Sequence, residues 1–140
     1  MSNWIVYALI SMVFAGLTSV IAKYGLKNVS GDAGLAIRTS MVFILVWLNA
    51  FAFKHTKYFP NLSKNDIIFL CVSGLTTTLS WIFYYKAIKI GNVSVVASID
   101  KASLLITILL SLWLLREPLT WRLALGAVLI LSGVIVLSTK

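Results

Sequence analysis

Acidic side chains are scarce in this chain, with four Asp and Glu residues among 140. Histidine and cysteine occur once each and proline twice. Each shortage excludes something. The acids show no metal-ligand spacing, the one His falls in a loop, and no glycine-rich phosphate loop is present, so no enzyme, metal site or cofactor is expected. The lone Cys71 cannot form an internal disulfide and reads as a small residue in an apolar run. Both prolines, Pro60 and Pro118, fall between apolar runs, where a missing N–H does no harm. The N-terminal MSNW lacks the basic stretch of a secretory signal and no A-x-A site ends the first apolar run, which reads as a retained first span.

What is present is apolar. Hydrophobic residues make up 60% of the chain and its mean hydropathy is +0.98, against about 45–50% apolar in soluble domains. A helix needs about 20 apolar residues to cross ~30 Å of hydrocarbon. Five stretches qualify, at about 4–22, 33–53, 67–85, 94–114 and 121–138. The expected fold is an all-α integral membrane protein with five transmembrane helices in one domain, residues 1–140. The connections are GLKNVSGD, KHTKYFPNLSKND, KAIKIGN and REPLT, with Thr120 as the expected cap of the last helix. Gly126 and Gly133, seven apart on one face, suit close helix packing.

The net charge of +8 does not point to nucleic acid, because the basic residues stand singly between apolar runs and form no stripe for phosphates. They bear on topology instead. One membrane face would carry Lys54, Lys57, Lys64, Arg116 and Arg122; the other would carry Lys23, Lys27, Arg38, Lys86, Lys89 and Lys140. Five against six, levelled by a free N-terminal amine, is almost no positive-inside bias. Insertion in both orientations, with opposed copies pairing, is the sharper expectation; one dominant loop is the simpler alternative.

The stretch SIDKAS, residues 98–103, breaks the apolar pattern. Asp and Lys near a helix centre cost roughly 2.5–3.5 kcal/mol each to insert, which the eleven Val, Ile and Leu residues of 94–114 only about offset. Neighbours on a helix point about 100° apart, so Asp100 and Lys101 are not expected to face each other. Asp100, Ser103, Thr107 and Ser111 share one face, and Lys101 lies beside it. Intramembrane ionisable residues mark a substrate or ion path, the alternative being an ion pair that only locks helices together. Arg38 near the start of its span is either an interfacial anchor or a site residue. WIFYYK, residues 81–86, reads as an interfacial aromatic belt, or Trp81 and Tyr85, four apart, stack on a substrate. Ser73, Thr76, Thr77 and Ser80 are unusually polar for a lipid-facing surface. Glu117 reads as a solvated loop charge.

Three blocks carry a resemblance: FAGLTSVIAKYGLKNV (14–29) with IRTS (37–40), SWIFYYKAIKIGNVSVVASIDKAS (80–103), and LREPLTWRLALGAVLILSGVIVL (115–137). Together they resemble the five-span bacterial/archaeal transporter family of the drug/metabolite transporter superfamily, whose ten-span members are two inverted EamA repeats around a cavity. Relatives often carry Pro where Ser98 stands, so a helix break before Asp100 is less firmly expected here. The resemblance implies a single EamA-type repeat, working as an antiparallel homodimer in the inner membrane and moving small organic solutes by alternating access. Asp100, Lys101, Ser103, Thr107, Trp81, Tyr85 and Arg38 are then the expected substrate-binding residues, with a small molecule, membrane lipid and a second copy as partners. A non-transporting scaffold subunit and a lipid-carrier flippase are the alternatives.

Overall fold

In hydrocarbon a backbone can satisfy its N–H and C=O groups only within its own segment or in a closed barrel. All five apolar runs accordingly form helices in the computed structural model, which describes residues 3–139. Lys140 and the N-terminal amine, both part of the charge count, lie outside the described residues. Among the described residues, five helical stretches are long and apolar enough to span a membrane. The chain divides into two compact units, Met1–Ile90 and Gly91–Lys140.

The first unit holds α1 (Asn3–Gly25), α2 (Gly31–Ala52) and α3 (Lys64–Ile90), with a 3-10 turn at His55–Asn61 before α3. Helix α2 starts where the Ala33 N–H donates to Ser30 Oγ (3.2 Å). It ends as Lys54 takes a left-handed φ of 56° and reverses the chain. A capping box opens α3: the Asp66 N–H donates to Ser63 Oγ (3.1 Å) and the Ser63 N–H to Asp66 Oδ2 (3.0 Å). The expectation that α3 ends near Tyr85 is corrected. It continues through Lys86 and Lys89 to Ile90, because nothing in KAIKI breaks a helix before Gly91, and Lys89 is held in place by contacts of its own.

Those contacts join α1 to α3. Lys23 Nζ, in the last turn of α1, donates to the carbonyls of Ile88 (2.6 Å) and Lys89 (3.1 Å) at the end of α3. Lys89 Nζ returns the arrangement, donating to the carbonyls of Leu26 and Lys27 just past the end of α1. The orphan C-terminal carbonyls of α3, at the negative end of its dipole, are thus met by a lysine of α1, and the turn that follows α1 is held by a lysine of α3. One turn farther in, Ser19 Oγ and Tyr84 Oη share a hydrogen bond of 2.7 Å.

Helix α2 packs on α3 through Gly31. A Cβ there would lie 3.0 Å from the Tyr85 carbonyl oxygen and 3.2 Å from the Lys86 nitrogen, so only hydrogen fits without moving backbone. Asp32 beside it pairs with Lys86 at 3.5 Å. Leu26, almost fully buried although it lies in a connection, fills the space that a Cβ on Gly34 would take. At the other end of α2, Phe43, Phe51 and Phe59 surround Trp47, with ring centroids 5.5–6.2 Å away. Thr76 and Thr77 donate to the Ser73 carbonyl and Thr78 to that of Gly74, which makes this polar stretch of α3 compatible with an exposed face.

The second unit holds α4 (Val93–Lys101), α5 (Ser103–Leu114) and α6 (Trp121–Ser138). The fourth apolar run is therefore two helices in one span. At the junction the Ala102 N–H bonds to Ile99 O (2.9 Å) and the Leu105 N–H to Ala102 O (3.0 Å), three residues back in each case, so the regular four-residue ladder lapses. The break falls after Lys101 and uses no proline. Arg116 leaves α5 with a left-handed φ of 54°, and its neighbour Glu117 is exposed. Thr120 caps α6 as expected, accepting from the Leu123 N–H at 3.2 Å. Gly126 and Gly133 have open space around them, so the close packing expected of them does not occur within this chain.

Candidate functional site

Two groups of polar side chains interrupt the apolar spans, one in each unit. In the first unit Arg38 projects from α2 towards α3. Its guanidinium carbon lies 4.3 Å from the centroid of the Trp81 ring and 5.8 Å from that of Tyr85. The Gly31 contact sets the start of α2 level with Tyr85. Arg38 is seven positions beyond Gly31, about 10 Å at 1.5 Å per residue. Trp81 is one turn farther in than Tyr85. The guanidinium therefore rests on rings inside the helical layer instead of extending past the helix ends.

Both aromatics are placed by periodicity. Trp81 and Tyr85 are four apart on α3 and present one face to α2. Tyr85 is only 4% exposed. Its hydroxyl and the Nη1 of Arg38 are buried and have no hydrogen-bond partner among the described residues. The rings offset part of the positive charge through their π faces, but they accept no in-plane N–H bonds. Of the two acids in this unit, Asp32 pairs with Lys86 and Asp66 closes the capping box of α3, so Arg38 has no carboxylate from its own unit.

A cavity of about 360 Å³ adjoins this cluster, with Arg38 and Tyr85 in its wall. Thr18, Ile21 and Ala22 of α1, Leu26 and Val29 of the following connection, and Ile37 of α2 complete most of its surface. Apolar walls with a cation and a phenol at one side make an amphipathic recess. Among the described residues, no group of three or more His, Cys, Asp or Glu is placed to hold a metal ion.

In the second unit Asp100 and Lys101 stand at the α4–α5 break. The expectation that they face apart is corrected: Lys101 Nζ lies 3.6 Å from Asp100 Oδ2. Both residues lie in the last turn of α4, and the long Lys101 side chain bends back to its neighbour's carboxylate. The side chains remain 68% and 36% exposed, Lys101 the more so. Lys101, Ser103 and Thr107 line a second cavity, of about 440 Å³, together with Leu104 and Ile130. Thr107 donates to the Ser103 carbonyl (3.1 Å), Ser98 to that of Ser94 (2.7 Å) and Ser111 to that of Ile108 (3.0 Å). These hydroxyls spend their protons on their own helices and keep lone pairs to offer.

The seven expected site residues thus fall into two sets: Arg38, Trp81 and Tyr85 meet in one unit, and Asp100, Lys101, Ser103 and Thr107 gather in the other. Sequence reading did not single out Thr18, Leu26 or the glycines Gly31 and Gly34. The run SGDAG, with a capping Ser and two glycines in the first turn of a span, was the available signal for a close helix approach.

The EamA-like transporter family model matches residues 2–139. A Sinorhizobium protein described as "Uncharacterized transporter in cobO 3'region" is 31% identical over 136 residues, covering 97% of this chain and 96% of that protein. No solved structure matches the chain.

Proposed function

The chain belongs to the EamA-like transporter family, and we propose that it is a secondary transporter moving small organic solutes across the inner membrane as a homodimer, by alternating access. A multi-pass membrane protein with ionisable groups inside its spans needs a reason to carry their insertion cost, and a solute path supplies one. The observation that carries the reading is the Arg38–Trp81–Tyr85 cluster: a cation inside a helical layer, beside a cavity, with donors unspent. In the second unit, Lys101, Ser103 and Thr107 line a cavity of their own, a second polar recess in a spanning segment.

Two features support pairing of opposed copies. The basic residues are nearly balanced between the two faces, and a relative of almost the same length is also described as a transporter. Inverted copies around a midplane site are an established transporter architecture. The test is reconstitution of the full chain in liposomes, with uptake and efflux of a metabolite panel measured against protein-free vesicles. Accumulation of at least one solute is expected. No flux in either direction for any class of solute, with correctly folded protein, would leave the scaffold reading in its place.

A further inference from the structure

The Arg38 cluster also bears on what is bound. We infer that the cavity beside α1 and α2 receives a monoanionic oxyanion on a compact apolar body, with Arg38 as the cationic anchor and Tyr85 as a second donor, and that this is the solute class of the transporter proposed above.

Three observations meet here. The first is unmet donor capacity. Arg38 Nη1 and the Tyr85 hydroxyl are both buried and unpartnered, and Tyr85 is more than nine-tenths buried. A buried donor left unsatisfied carries its full desolvation cost, so both side chains gain by turning towards an acceptor that enters the recess. The second is charge. The guanidinium is given no carboxylate by its own unit, and its planar fork matches an oxyanion through two parallel hydrogen bonds. One cation selects one negative charge. The third is shape. The remaining wall is mainly aliphatic, with Thr18 donating its hydroxyl proton to its own helix, and the volume of about 360 Å³ lies at the small end of the roughly 300–1,000 Å³ range of small-molecule sites. The walls suit a short branched or cyclic hydrocarbon body and offer little to a sugar.

A monoanionic oxyanion can come from a free carboxylic acid or from the phosphodiester of an anionic phospholipid. Titration calorimetry on the purified full chain in neutral detergent, with cyclohexanecarboxylate and its uncharged analogue cyclohexanecarboxamide, tests the first source. The acid is expected to bind the wild-type chain roughly tenfold or more tighter than the amide, the scale of a hydrogen bond to a charged group. Arg38→Gln should abolish that preference. Tyr85→Phe should weaken the acid several-fold and keep the preference. Thermal unfolding in phosphatidylcholine vesicles with and without phosphatidylglycerol tests the second source. An Arg38-dependent rise in Tm with phosphatidylglycerol, and no binding of the free acid, identifies the oxyanion as a lipid headgroup.

The wild-type comparison of acid with amide does not depend on any variant folding. Equal binding of the two, a preference that survives Arg38→Gln, or no response to either source overturns the inference. Acid binding that depends on Arg38, without flux in liposomes, would overturn the transporter reading and leave the anion site standing without its transport role. Flux unchanged by Arg38→Gln would do the reverse.

Discussion

Asp100 and Lys101 show how one pair of residues resolves a local conflict. Alone, either charge costs about 2.5–3.5 kcal/mol at the centre of a spanning helix; at 3.6 Å each supplies the other's counterion. Replacing one partner should therefore harm insertion more than replacing both. Asp100→Asn and Lys101→Met are each expected to lower the membrane-inserted yield several-fold. The double variant should recover most of that yield while transport stays lost, because the polar wall beside Ser103 and Thr107 no longer carries its charge. Yield is read by fluorescence of a fused reporter and transport in liposomes. A double variant that transports normally would reduce the pair to a helix lock.

At the scale of elements, the first unit is held by close approach and mutual capping. Gly31 brings the start of α2 onto the backbone of α3 at Tyr85, with no room for a methyl group. Gly31→Ala must push backbone aside and is expected to destabilise the chain by about 1–3 kcal/mol, the usual cost of overpacking; thermal unfolding in detergent measures it. The same shift should disturb Arg38 on Trp81, since α2 carries one and α3 the other. The reciprocal lysines make a separate prediction. Lys89→Met leaves the carbonyls of Leu26 and Lys27 without their charged donor and should cost about 1.5–3 kcal/mol. Lys23→Met acts on the same junction from the other side. Losses that add fully in the double variant would mean that the two lysines work independently.

Across the whole chain, the near-balanced charge count makes orientation the open variable. Reporter fusions to the C-terminus are expected to give signal from both sides of the membrane, and two lysines added to one terminus should drive the population to a single side. A clean single orientation in the unmodified chain would sink dual insertion. The structure complicates the count in a specific way. Lys23 holds carbonyls at the end of α3, Lys89 holds carbonyls just past α1 and Lys86 holds Asp32, so three of the charges counted on one face also have structural work, and removing them changes folding as well as orientation.

The class of this protein was legible from the sequence, because it follows from a solvent requirement: a run of about 20 apolar residues has one stable form in hydrocarbon, a helix. The five spans, the Thr120 cap and the family resemblance are all local patterns of that kind. Helix limits at polar ends were less legible, since KAIKI carries no breaker and its extension to Ile90 is steadied by contacts with residues more than sixty positions away. Tertiary structure alone decided which partners met. Gly31 and Gly34 proved to be the tight contacts while Gly126 and Gly133 stood open, because spacing on one helix says nothing about what lies opposite. Arg38 turned onto Trp81 and Tyr85, and Asp100 onto Lys101, through choices between neighbours that a linear sequence does not rank: the energy of a charge in a membrane depends on which other group reaches it in three dimensions.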